Sequence, residues 1–128
     1  MPKGKWKLKV KKDFSSAHQL RNYGGKCENM HGHNFGVEVE IEGDRLDSKV
    51  EILMDFKELK KELNAVLDTL DHKHLNSLEY FEHRNPSSEN IARYIYEEMK
   101  KRVESEHVRM VFASVSEKES SVATYFEE

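Results

Sequence analysis

A chain of 128 residues, 37% hydrophobic and 35% charged, can bury a real core without disulfide or metal staples, and one domain over residues 1–128 is expected. A formal net charge of −3 offers no basic face to nucleic-acid phosphates, and the apolar runs are too short to span a bilayer. The single cysteine, Cys27, excludes an internal disulfide and suits a reducing, cytoplasmic compartment, and residues 1–10 alternate lysine with apolar side chains, unlike a secretory signal.

In "KWKLKVKKDF", Trp6, Leu8, Val10 and Phe14 share one parity, which predicts a half-buried strand with a bulge or break near Lys12. "HNFGVEVEIEG" alternates again, with Phe35, Val37, Val39 and Ile41 inward and Glu38, Glu40 and Glu42 outward. After the loop "GDRLDSK", the residues Phe56, Leu59, Leu63, Val66, Leu67 and Leu70 recur at helical spacing behind Asp55, a suitable N-cap. A second helix follows "NPSSEN", capped by Ser87 or Ser88, with Ile91, Ile95, Tyr96, Met99 and Val103 as its apolar stripe. "VRMVFASVSE" and "SVATYF" read as two strands around a "KES" turn. The order ββααββ predicts an α+β domain, an antiparallel sheet with both helices on one face.

Residues two apart in a strand point the same way, so His31 and His33 of "CENMHGHNF" project together on the parity of Phe35. His18 shares the parity of Phe14 if the first strand keeps phase, and three neutral imidazoles with an open fourth position form the pattern of a catalytic zinc site. The competing readings are satisfied core histidines and, for Cys27, a small buried side chain or a fourth ligand closing a structural zinc site.

In "LDHKHLN", Asp71 can orient His72 and raise its basicity; alternatively, His72 and His74 are cations favoured by a helix C-terminus. Glu117 continues the parity of Val111, Ala113 and Val115 and would carry a carboxylate inward, where it needs a donor such as a ligand with adjacent amine and amide N–H groups. The alternative is a strand that ends at Val115 with Glu117 solvated. His83 and His107 read as surface residues.

Six segments, "FSSAHQL" (14–20), "CENMHGHNFGVEVEIEG" (27–43), "MDFKELK" (54–60), "LDHKHLN" (70–76), "NPSSENIARYIY" (85–96) and "VSEKESSVATY" (115–125), run in order over nearly the whole chain. Together they resemble the 6-pyruvoyltetrahydropterin synthase family, which includes the 6-carboxytetrahydropterin synthases of the queuosine pathway. The resemblance implies the tunnelling fold and a homohexamer of two trimers with sites between subunits. It implies zinc on His18, His31 and His33, proton transfer by Cys27 and by the Asp71–His72 pair, and a pterin ring anchored by Glu117. Ser87, Ser88 and Glu89 match a pocket-lining segment where threonine is usual.

The implied substrate is 7,8-dihydroneopterin triphosphate. The queuosine-branch product, 6-carboxytetrahydropterin with acetaldehyde and triphosphate, is expected first. The other family products are the 6-pyruvoyl compound and a folate-type 6-hydroxymethyl-dihydropterin, the latter suggested by Glu28 beside Cys27. The non-enzyme alternatives are a structural-zinc module and a pterin-binding domain without catalysis. Arg21, Lys26, Lys73 and Lys118 lie near the motifs, and the sequence does not choose among them for the triphosphate.

Overall fold

The computed structural model describes residues 2–24 and 29–128. The chain runs β1 (Trp6–His18), β2 (His31–Gly43), α1 (Phe56–Leu67), α2 (Ser88–Val103), β3 (Val108–Lys118) and β4 (Ser121–Tyr125), with two short 3-10 turns, Leu75–Ser77 and Glu79–Phe81, between the helices. The strands form one antiparallel sheet in the order β1-β2-β3-β4. Both helices pack on one face of it, giving the expected α+β architecture.

β1 has neither a bulge nor a break near Lys12. Its pairing with β2 runs without a register shift from Trp6 opposite Gly43 to His18 opposite His31. Lys12 lies on the covered parity, opposite Val37, and is half-buried. A lysine stem can pack on apolar neighbours while its ammonium stays in water, so the strand keeps its phase. That phase brings Val10, Phe14, Ser16 and His18 to the covered face, all buried.

β3 does contain an irregularity. Glu40 pairs with Phe112 and Ile41 with Met110, which leaves Val111 as the extra residue of a bulge and not the inward residue its parity predicts. The bulge lets Val108 and Met110 on one side, and Ala113 and Val115 on the other, all reach the core.

Glu42, expected outward, is 8% exposed and bonded to Arg109 at 2.9 Å and Lys5 at 3.4 Å. The Arg109 bond holds its carboxyl below the usual glutamate range. Neighbouring pairs Lys11–Glu38 (2.9 Å) and Lys7–Glu40 (3.7 Å) continue this cross-strand charge pattern.

Asp55 caps α1 by accepting from the Lys57 N–H at 2.8 Å, and Leu59, Leu63, Val66 and Leu67 are buried. Phe56, expected in that stripe, is 52% exposed, while Leu70 is buried beyond the helix end. The chain tightens there, with the Thr69 and Leu70 N–H groups donating to Val66 and Leu67. α2 is capped by Ser87, whose Oγ accepts from the Asn90 N–H at 3.2 Å, and it buries the expected stripe plus Ala92.

The segment after α1 then docks on the end of β1. The His72 N–H donates to the Ser15 carbonyl at 2.6 Å and the Ala17 N–H to the Lys73 carbonyl at 3.0 Å, a short parallel bridge. No helix among the described residues is long and apolar enough to cross a membrane.

Candidate active site

Directly opposed residues of an antiparallel pair have Cβ atoms about 4.5–5.5 Å apart. The register therefore sets His18 against His31, and Ser16 against His33, on the face the helices cover. The rings cluster: centroids lie 4.6 Å apart for His18 and His31, 5.4 Å for His18 and His33, and 4.6 Å for His31 and His33. Phe35 stands edge-on to His18 at 5.2 Å and closes the inner side of the cluster.

Two backbone carbonyls orient the rings. His18 donates through Nδ1 to the Pro86 carbonyl at 2.7 Å, and His31 donates through Nδ1 to the Asn29 carbonyl at 2.8 Å. Each bond leaves Nε2 as the lone-pair nitrogen, the usual way a ligating histidine is held. Burial pushes the His18 pKa down and its histidine neighbours add to this, against the Pro86 carbonyl and Glu117, so the neutral, ligand-competent ring is favoured.

One potential ligand nitrogen from each of the three histidines lies within 4.8 Å of the others. His18 Nε2 is buried and has no hydrogen-bond partner among the described residues. Leaving such an atom unsatisfied costs about 1–3 kcal/mol, a cost that a bound cation removes. The donor set, three imidazole nitrogens with the His18 and His31 rings held by carbonyls, fits zinc with a position left open.

β3 extends to Lys118, so Glu117 is carried on a strand and not released into the turn. Its side chain is 28% exposed, with Oε1 3.6 Å from His18 Nε2 and Oε2 3.5 Å from His33 Nε2. That negative charge favours a cation among the rings. Ser88 Oγ donates to Glu117 Oε1 at 3.4 Å, and Ser88, Glu89, Glu117 and Lys118 border a depression of about 360 Å³ beside the β3–β4 hairpin. Ser87 is occupied in capping α2.

Asp71 Oδ1 accepts from the Ser15 N–H at 2.8 Å, and Oδ2 accepts from His72 Nδ1 at 3.0 Å. The Ser15 N–H first, then His72, hold the Asp71 carboxyl below the usual aspartate range. His72 adopts the left-handed backbone region (φ 54°), and its side chain is 82% exposed. With Nδ1 donating to Asp71, Nε2 carries the lone pair. α1 ends at Leu67, so His72 and His74 lie beyond its last turn, where the helix dipole has faded. His33 and His72 border one open depression of about 640 Å³. Cys27 and Glu28 lie outside the described residues.

Two asparagines escape the sequence reading. Asn76 bonds both the N–H and the carbonyl of Gln19, at 2.9 and 3.0 Å, and Asn85 does the same to Arg21, at 2.9 and 2.8 Å. Each side-chain amide imitates a strand neighbour and ties down the chain just after His18. In "HLN" and "RNP" both look like ordinary turn residues, and nothing local reveals partners more than fifty positions away.

The 6-pyruvoyl tetrahydropterin synthase family model matches residues 7–128. The chain belongs to this family. Family members are enzymes that act on pterins. A 6-carboxy-5,6,7,8-tetrahydropterin synthase of Synechocystis is 38% identical over 95 residues, covering 71% of this chain and 72% of that protein. A dihydroneopterin monophosphate aldolase of Pyrococcus furiosus is 39% identical over 88 residues, 69% of each chain. Among solved structures, the 6-pyruvoyl tetrahydropterin synthase of Caenorhabditis elegans superposes with a TM-score of 0.86 at 29% identity, covering 98% of this chain and 97% of that one.

Proposed function

We propose that this family member is a zinc-dependent, cytoplasmic 6-carboxy-5,6,7,8-tetrahydropterin synthase that converts 7,8-dihydroneopterin triphosphate and water to 6-carboxytetrahydropterin, acetaldehyde and triphosphate. The observation that carries the reading is the orphaned, buried Nε2 of His18, grouped with His31 and His33 beside the Glu117 carboxylate. Bound zinc supplies Lewis acidity toward the hydroxylated side chain of the substrate.

The chain's own residues do the rest. Glu117 accepts from the amino and ring N–H groups of the pterin, with Ser88 and Glu89 beside it. Asp71, held ionised by the Ser15 N–H, fixes His72 with Nδ1–H toward itself, so Nε2 takes up and returns the proton. Cys27 is the second proton-transfer group, and a cation nearby favours its thiolate. The sheet leaves β1 and β4 as edges, a feature that supports assembly into a homohexamer of two trimers.

A second reading is retro-aldol cleavage to 6-hydroxymethyl-dihydropterin, with Glu28 as base. The Pyrococcus relative named an aldolase favours it. Chromatography of the products from dihydroneopterin triphosphate separates the readings: 6-carboxytetrahydropterin with acetaldehyde is expected. 6-Hydroxymethyl-dihydropterin as the main product would transfer the assignment to the aldolase, and no turnover of either the triphosphate or the monophosphate of dihydroneopterin by zinc-loaded protein would remove both.

A further inference from the structure

The depression shared by His33 and His72 has a charge pattern of its own. Lys73 and His74 also border it, with Ser15 and Asn34, and among the described residues no carboxylate side chain lines it. Four other depressions each include acidic groups, among them Glu42, Glu51, Glu79 and Glu117. In a chain of net charge −3 this concentration of cationic and neutral donors selects an anion. The one carboxylate next to it in sequence, Asp71, is engaged by the Ser15 N–H and His72.

Position points the same way. Glu117 faces His18 and His33 and borders the depression at the β3–β4 hairpin, while His33 also borders the one lined by Lys73. The histidine cluster thus adjoins both. A substrate built as ring, hydroxylated three-carbon chain and phosphoryl tail has its parts in that same order. The other described cations near the motifs are placed differently. The Arg21 guanidinium donates to the carbonyls of Phe81 at 2.6 Å and Arg84 at 3.3 Å, and Lys118 lies with Glu89 and Glu117.

We propose that Lys73, with His74 beside it, binds the phosphoryl tail of the substrate in the depression that His33 shares and Glu117 does not. The assignment rests on the pterin-enzyme reading for its substrate, while the anion site itself stands on the lining.

Calorimetric titration of the zinc-loaded full chain, and of Lys73→Ala and Lys73→Arg, tests it with three probes: inorganic triphosphate, orthophosphate and phosphate-free dihydroneopterin. Lys73→Ala should weaken triphosphate at least about tenfold, the loss expected of one charge-assisted contact. It should move dihydroneopterin less than about twofold on the same scale, and Lys73→Arg should restore most of the affinity. A tenfold preference of the parent for triphosphate over orthophosphate would, on that scale, assign an oligophosphate tail. Equal, Lys73-dependent affinities would assign a single phosphate ester, and either result supports the site. Unchanged triphosphate binding in Lys73→Ala overturns it, because the anion then sits on the metal or elsewhere. So does an equal loss of dihydroneopterin. If the parent fails to bind dihydroneopterin, the pterin reading falls, yet the triphosphate arm still decides the anion site.

Discussion

Glu117 shows how one side chain can serve two neighbours. Its carboxylate lies 3.5–3.6 Å from two imidazole nitrogens and also borders the hairpin depression proposed for the pterin. Glu117→Gln keeps the shape, removes the charge and replaces one acceptor with a donor. Each charge-assisted bond is worth about 1.5–3 kcal/mol, so pterin affinity should fall about ten- to a hundredfold. Fluorescence titration with a dihydropterin checks this, and unchanged affinity would leave Glu117 as a companion of the histidines alone.

For Asp71 the sign follows from its depressed folded pKa. Its contribution to stability is present above the ordinary aspartate pKa and is lost as pH falls through the lower folded value. Melting curves of the parent and Asp71→Asn should therefore differ at neutral pH and converge in acid, below the usual aspartate range. A gap that widens in acid would contradict the assigned hydrogen bonds.

At the scale of elements, β2 and both helices were legible because their apolar residues recur at a single period. β1 and β3 were legible only in part. A lysine on the covered parity looks like a break, although its stem packs while its charge stays wet. A bulge at Val111 changes phase without any glycine to mark it. Least visible were the tethers from Asn76 and Asn85, because a side chain bonding a distant backbone leaves no periodic trace. Each makes two bonds, at about 0.5–1.5 kcal/mol apiece, so Asn85→Ala should lower stability by about 1–3 kcal/mol in a urea titration. A change below about 0.5 kcal/mol would mean that water replaces the amide.

For the molecule as a whole, parity put His31 and His33 on one face and added His18 on the condition that β1 keeps its phase and pairs with β2; the uninterrupted register meets that condition. What parity could not supply was the Pro86 carbonyl that aims His18, which comes from 68 positions away. Nor could it show that His33 and His72 share a depression, which depends on the chain after α1 turning back onto β1.

The central claim, an open three-histidine metal centre in a pterin enzyme, is tested most directly by elemental analysis of the parent, His31→Ala, His33→Ala and Cys27→Ala. The expected result is zinc near one equivalent per chain in the parent and in Cys27→Ala, with loss in both histidine variants. Full zinc in the histidine variants would contradict the site, and loss in Cys27→Ala would make it a closed structural centre with no place for substrate.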